Sequence, residues 1–437
     1  MLLKTFPRGG SDIPQRKEAT KNKAIAVCPA PKRAVISVNQ HIGTPCEPVV
    51  DVGDSVKIGQ KIGESAAYIS APIHASVSGE VVGIEDYTVL DGTKARCIVI
   101  ENDGLEQLYA GESSDYTKMS PQQIVSVIKD AGIVGMGGAG FPTHVKLSPA
   151  KPVDTVIING AECEPYLTCD HRLMVQQPAA IIDGLKAMMK ALGAKRGIIG
   201  IENNKPDAVK IMKNMADISA DISVVPLKVK YPQGAEKQLI KAVLEREVPS
   251  GCLPAEVGCI VSNVHTAVSV TEAINQGIGL YQRVLTVSGS LIHDPRNVLV
   301  RIGTPIKQVI DFCGGMIKPP PVVIAGGPMT GKPIVDLSAP VVKCLSGILV
   351  LREDEIDFER NDPCIRCARC VDSCPIGLQP NFLADLCEKG LIETAEDYHI
   401  MDCIECGLCS FICPAYRGLC NSIKKGKTAL KMKKSVG

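Results

Sequence analysis

Two runs of cysteine constrain this 437-residue chain more than any other feature. Cys364, Cys367, Cys370 and Cys374 are spaced C-x2-C-x2-C-x3-C and followed by Pro375; Cys403, Cys406, Cys409 and Cys413 repeat the spacing and precede Pro414. Thiolates two residues apart on short turns can each take one corner of a cubane, and where two such runs occur the fourth cysteine of each ligates the other cluster. The spacing therefore assigns Cys364, Cys367, Cys370 and Cys413 to one 4Fe-4S cluster, and Cys403, Cys406, Cys409 and Cys374 to a second. Each proline redirects the chain after its loop, so the fourth thiol swings toward the neighbouring site. Zinc ribbons and fingers use cysteine pairs separated by a longer loop, which makes zinc the weaker reading. Cys387 and Cys420 lie outside the motif and read as inert buried thiols.

Nineteen cysteines in tight C-x-x-C groups, behind a start with no apolar signal core, point to a reducing compartment rather than to disulfides. Lys plus Arg is 48 against 47 Asp plus Glu, so no overall field draws in nucleic acid. No stretch reaches the roughly 18–20 apolar residues a bilayer crossing needs, and membrane contact is expected only through a partner. Single cores stop growing near about 250–300 residues, so about three or four domains are expected. With 3% aromatics, no Trp, 40 Gly and 30 Pro, their cores must be built from Val, Ile, Leu and Ala around many turns.

Residues 1–30 are polar, mixed in charge and without a period, and read as an extended arm lying on another surface. Residues 31–112 turn into short Val and Ile strands broken by Gly, Asp and Pro. Within them Val49–Ile62 and Ile73–Ile84 form two strand-turn-strand halves of a flattened barrel that resembles biotinyl and lipoyl carrier domains. Those present a modifiable Lys between the halves; here the tip is "SAPIHAS", without Lys, so an unmodified barrel is expected, with His74 a packing or surface residue. In 113–278, amphipathic helices alternate with apolar strands ("PQQIVSVIKDAG", "DTVIINGA", "AAIIDGLKAMMKALG", "RGIIGIENN"), the pattern of a parallel, nucleotide-binding α/β domain. Residues 279–352 open with two strands, a turn and a helix ending in Gly, a β-grasp-like unit. The acidic "REDEIDFERND" marks the boundary to the cysteine region, 353–423, whose intervening "NFLADLCEKGLIETAEDYHI" is a helical spacer; 424–437 is a basic tail expected to be solvated.

"GIVGMGGAGFPTHVKL" supplies Gly135, Gly137, Gly138 and Gly140 before Lys146, a loop whose backbone N–H groups can approach phosphate with a lysine close by. It fits neither G-x-G-x-x-G with its distal acid nor the Walker A pattern. The loop, then "NGAECEP", "YPQGAEKQ" and "SNVHT", resemble in order the motifs of the NADH-binding flavoprotein subunit of respiratory complex I. That resemblance implies FMN on Gly137, Gly138, Gly140, Lys146, Asn159, Glu162, Gly234, Asn263 and Thr266. It implies NAD(H) stacked against Phe141, with Glu164, Tyr231 and Glu236 near its ribose and nicotinamide end. Met136, Ala161 and Ala235 replace the usual Arg, Asp and Glu. Cys163 reads as a loop residue, and no side chain is nominated as a catalytic acid or base.

Over nearly its whole length the chain resembles the RnfC family, one component of the Rnf complex, a membrane-bound ferredoxin:NAD+ oxidoreductase coupled to ion translocation. The fold this implies is multidomain α/β and α+β: a barrel-sandwich hybrid, a Rossmann-like FMN/NADH domain, a β-grasp (SLBB-like) domain and a C-terminal two-cluster ferredoxin-like helical domain. The cofactors implied are two 4Fe-4S clusters and non-covalent FMN, with NAD(H) as substrate. The partners are the other Rnf subunits, the iron-sulfur one and those in the membrane, with ferredoxin reached indirectly. The place is the cytoplasmic side of the cell membrane, peripherally. The alternatives are a related protein delivering NADH electrons to a soluble reductase and a cluster-only electron-wiring protein.

Overall fold

The computed structural model describes residues 3–436 apart from 110, 218 and 357–360, so part of the acidic boundary stretch lies outside the described residues, as do the first two residues of the arm and the last of the tail. The arm is extended and lies across the rest of the protein. Lys4 bridges to Leu227, Ser11 and Tyr231 exchange both backbone hydrogen bonds, at 2.9 and 2.8 Å, and the Gly10 N–H donates to the Ser373 carbonyl at 2.8 Å. Phe6 and Ile13 are buried, with the Lys230 ammonium 4.1 Å from the Phe6 ring centre. The arm ends in a short strand, β1 (Ala26–Val27).

The barrel has two antiparallel sheets. One contains β2 (Arg33–Ser37), β4 (Ser55–Val56), β7 (Gly79–Thr88) and β8 (Lys94–Asn102); the other contains β3 (Glu47–Pro48), β5 (Lys61–Glu64) and β6 (Ile73–His74). They enclose an aliphatic core including Ile36, Ile62, Ile73, Val81, Ile98 and Ile100. His74 is a packing residue: it is buried, its Nε2 donates to the Asp130 carbonyl at 2.8 Å, and burial, reinforced by the Lys343 ammonium, holds its pKa down at about 3.

The α/β domain starts with α1 (Pro121–Asp130), whose Ser120 cap and Gln123 form a reciprocal capping box, and α2 (Thr143–Lys146). Four parallel strands follow, β9 (Thr155–Gly160), β10 (Arg196–Glu202), β11 (Ile222–Leu227) and β12 (Cys259–Asn263), in the spatial order β11-β10-β9-β12. Between them run α3 (Cys169–Gln176), α4 (Pro178–Leu192), α5 (Pro206–Ala216) and α6 (Glu236–Leu244), and α7 (Val264–Gln276) follows β12. One sheet face packs on α1, α4, α5 and α7 through residues such as Ile124, Leu185, Met212 and Val268. The other packs on α6 through Leu239, Ile240 and Val243. The chain leaves β9 toward β10 and β11, then returns to place β12 on β9's other side, so the carboxyl ends of β9 and β12 form a topological switch point.

The next sheet runs β1-β14-β13-β17-β15-β16, built from β13 (Gln282–Ser288), β14 (Arg296–Arg301), β15 (Val322–Ala325), β16 (Lys332–Pro333) and β17 (Gly347–Leu351), with α8 (Ile306–Phe312) packed on it. The cysteine region is helical: α9 (Arg369–Asp372), α10 (Pro380–Glu388), α11 (Ile392–Asp397), α12 (Leu408–Phe411) and α13 (Leu419–Val436). The expected spacer is α10 and α11, broken at Gly390 with φ 73°. The expected solvated tail is instead most of α13. Ile423 and Leu430, one heptad apart, bury one stripe against Leu383, Leu386 and Ile400; Lys427 donates to the Cys403 carbonyl at 2.7 Å, and Lys433 and Lys434 pair with Glu393 and Glu396. Among the described residues no helix is long and apolar enough to cross a membrane.

On α7, burial raises the Glu272 carboxyl from 4.5 to about 7. A raised folded-state pKa stabilises only while the group keeps its proton, so this contribution is complete below about 4.5 and fades as pH rises toward 7. Glu272→Gln is expected to flatten the decline of unfolding free energy across that window. Identical pH profiles for the two proteins would remove Glu272 as its source.

Candidate cluster and nucleotide sites

The two cysteine runs adopt the same backbone twice. Arg366 and Glu405, each before the second cysteine, have φ of 56° and 57°; Ala368 and Gly407, each after it, have φ of 60° and 77°. These left-handed turns aim successive sulfurs into one cavity, and a four-residue helix, α9 or α12, then carries the third cysteine. Cys364, Cys367, Cys370 and Cys413 line the first cavity. Cys374, Cys403, Cys406 and Cys409 line the second. The groups that the spacing suggested are thus brought together across the two runs. Among the described residues, the only trio of possible ligand atoms all within 4.8 Å of one another is Glu162, Cys169 and Asp170. Thiolates around one zinc ion, with bonds of about 2.3 Å, would crowd that closely; among the described residues no three of these thiols do. Cys364 and Cys367 are exposed, whereas the second cavity lies deeper.

Cys420, expected to be an inert thiol outside the motif, lines the second cavity. It is the second residue of α13, seven positions after Cys413, and the first turn of that helix brings it to the cysteines. Cys387 keeps its expected packing role.

At the switch point Asn159, next to last in β9, and Asn263, last in β12, are register partners. Asn159 donates to the Gly234 carbonyl at 2.8 Å. Asn263 caps α7 by accepting from the His265 N–H and donates to Asp170 at 2.7 Å. The glycine loop folds over this end of the sheet. Its base is closed by Gly135 N–H to Phe141 O at 2.9 Å, and its crest is pinned by the Met136 N–H on the Thr266 hydroxyl at 3.0 Å. A Cβ at Gly137 would stand 2.5 Å from the Asn263 amide, while one at Gly138 would meet nothing within 4 Å. The loop is therefore pressed onto Asn263 at one glycine and bare at the next, a backbone cradle open on one side. Gly140 has φ 70° and its carbonyl accepts from the Ile42 N–H, so the barrel forms a flank. Phe141 is half-buried beside the loop. Lys146 pairs with Glu236 at 2.7 Å, both partly exposed.

Three expected contact residues face elsewhere. Glu162, at φ 47°, turns its carboxylate onto the N–H groups of Asp170 (2.7 Å) and His171 (3.3 Å), where it caps α3. Glu164 accepts from the Met329 N–H at 3.1 Å and from the Thr330 hydroxyl, tying the α/β domain to the turn between β15 and β16. Tyr231 is buried and its hydroxyl donates to the Cys406 carbonyl at 2.7 Å. Cys163 accepts from the Gly234 N–H, and burial drives its thiol far above the usual range, which leaves no reactive thiolate. Sequence reading missed Lys17. Its buried ammonium donates to the carbonyls of Glu162, Glu164 and Leu167 at 2.9, 2.8 and 2.5 Å, and a single lysine in a polar arm carries no signal of that.

A cradle at an α/β switch point, joined by a tyrosine to the second of two cysteine cavities, defines a class: iron-sulfur electron carriers built on a nucleotide-binding domain. Family profiles match in the same order: an RnfC barrel-sandwich hybrid domain at residues 4–105, a Nuo51 FMN-binding domain at 128–272 and an SLBB domain at 284–333. The C subunit of the proton-translocating ferredoxin:NAD(+) oxidoreductase complex of Clostridium ljungdahlii is 46% identical over 92% of this chain and 88% of its own. Its counterpart in the Na(+)-translocating complex of Acetobacterium woodii is 44% identical over 96% of both. The corresponding protein of the ion-translocating oxidoreductase complex of Rhodobacter capsulatus is 40% identical over 90% and 77%. The chain belongs to this RnfC family. An NAD+-reducing [NiFe]-hydrogenase structure, 19% identical with a TM-score of 0.50 over 72% of this chain and 61% of its own, shares the fold.

The Gly407 and Ala368 turns make a paired prediction. A Cβ at Gly407 would meet the Met329 carbonyl at 2.5 Å, so Gly407→Ala is expected to destabilise by about 1–3 kcal/mol. Ala368→Gly relieves a left-handed alanine and is expected to be neutral or stabilising by up to about 1 kcal/mol. Denaturant midpoints read both, and a tolerated Gly407→Ala would refute the close approach.

Proposed function

We propose that this chain is the NAD(H)-binding flavo-iron-sulfur subunit of a membrane-bound Rnf-type complex. In that role it passes electrons between two 4Fe-4S clusters, FMN and NAD+/NADH in ferredoxin:NAD+ oxidoreduction coupled to ion transport. The observation that carries this reading is the bond from Tyr231, beside the nucleotide crevice, to the backbone of Cys406 in the second cysteine cavity. The RnfC relatives, whose complexes are named for that reaction, support it.

Gly137, Gly138 and Gly140 offer backbone N–H groups to the FMN phosphate. Lys146 adds a compensating charge, and Asn159, Gly234, Asn263 and Thr266 fix the strand ends and loop that shape the crevice. Phe141 is the platform for the nicotinamide, and Glu236 faces the nucleotide while restraining Lys146. Glu162, Glu164 and Tyr231 act one step back, holding α3, the β15–β16 turn and the second cysteine loop in place. Bound FMN supplies the exchange between the two-electron chemistry of nicotinamide and the one-electron chemistry of clusters.

The cysteine region reads as a two-cluster ferredoxin-like domain over 353–423, following domains over 31–112, 113–278 and 279–352. Cys364, Cys367, Cys370 and Cys413 hold the outer cluster, whose exposed Cys364 and Cys367 suit a partner's approach; Cys374, Cys403, Cys406 and Cys409 hold the inner one. Through association with the iron-sulfur and membrane subunits of the complex the chain sits peripherally on the cytoplasmic side of the cell membrane, with ferredoxin reached through them.

The test is anaerobic reconstitution with iron, sulfide and FMN followed by NADH titration in the visible spectrum. About eight irons and one flavin per chain, with the flavin band bleached by NADH, are expected. Clusters without flavin or any response to NADH would reduce the function to cluster-to-cluster transfer. Lys146→Ala is expected to lose flavin on gel filtration, and full retention would take Lys146 out of the site.

A further inference from the structure

The repeat that builds the two cysteine cavities carries a seventh-residue position that differs between them. Seven residues after Cys374 stands Asn381, and seven after Cys413 stands Cys420. Each is the second residue of the helix that follows, α10 or α13, and each lines the cavity that helix faces. The first cavity thus holds four cysteines and an amide, the second five cysteines. Cys420 is buried and lines the same cavity as Cys409. Its own N–H donates to the Ser410 hydroxyl at 2.9 Å, which fixes the first turn of α13 against α12.

From this we infer that Cys420 is a reserve ligand of the inner cluster, able to take over the iron held by Cys409. The inference rests on the two-cluster reading. In the exchange an Fe–S bond forms at the Cys420 sulfur as its thiol proton leaves, and the Fe–S bond to Cys409 breaks as that sulfur takes up a proton. No electron moves, and both side chains already line the one cavity. The outer cluster, with Asn381 at the equivalent place, has no such substitute.

The experiment compares iron and sulfide content, and low-temperature electron paramagnetic resonance after dithionite reduction, in the full-length reconstituted chain. Wild type sets the reference at about eight irons; a wild type without two clusters would sink the cluster reading itself and leave nothing for Cys420 to replace. Cys409→Ala is expected to keep wild-type iron with one altered resonance, whereas Cys409→Ala/Cys420→Ala and Cys370→Ala each fall to about half. Cys409→Ala losing as much iron as the double variant would overturn the proposal. If Cys409→Ala does not accumulate as folded protein, Cys420→Ala alone decides: its iron should pass to a chelator several-fold faster than wild type's, and an unchanged rate would equally overturn it.

Discussion

The hydroxyl of Tyr231 donates a hydrogen bond to the Cys406 carbonyl in a pocket made by Ile13 of the arm and Leu408 of α12, with Cys163 and Met329 at its edge. Four stretches distant in sequence meet around that one bond. Burial, with the Glu164 carboxylate nearby, pushes the phenol far above its usual range, so it stays a donor. Leaving a buried polar group unpaired costs about 1–3 kcal/mol. The bond therefore sets the separation between the strand ends that form the crevice and the loop that carries Cys403, Cys406 and Cys409. Ser11 clamps the Tyr231 backbone from the other side, and Gly407 admits Met329 because it has no side chain.

Much of this was legible in the residues because it rests on periodicities. Alternating strands and helices gave the parallel sheet, and the cysteine spacing gave the pairing of each fourth thiol with the opposite run. Asn159 and Asn263 were found through motif resemblance, and their shared register explains why two motifs a hundred residues apart belong to one site. Local reading failed where a side chain's partner comes from elsewhere. Nothing in "NGAECEP" says that Glu162 caps α3, that Glu164 reaches the turn at Met329, or that Tyr231 turns toward a cysteine loop. Lys424–Lys434 looked like a solvated tail because charge dominates its composition; the Ile423 and Leu430 stripe, too sparse to stand out, docks it as a helix.

A chain without Trp and with few aromatics has little large apolar surface with which to lock domains together, and buried cations take part of that role. Lys343 reaches the carbonyls of Pro72 in the barrel and Gly132 after α1. Arg283 donates to the Lys343 carbonyl, and Lys205 to that of Ala161. Burying an ammonium is costly unless it is hydrogen-bonded, and the cost at Lys343 shows in a pKa lowered to about 7. Carbonyl dipoles drawn from different segments offset that cost only when all the segments are in place. Such contacts specify an arrangement more than they add to its strength.

The extended arm has one more consequence, for the order of assembly. Its residues are synthesised well before the cysteine region, yet Gly10 bonds to Ser373, and a Cβ on Gly9 would strike the Cys374 carbonyl. The Gly9–Gly10 stretch must wait for the cysteine region before it can dock there. Lys4 and Ser11 can pair with Leu227 and Tyr231 before then, but closure over Ser373 and Cys374 is a latch that only a finished cysteine domain can engage.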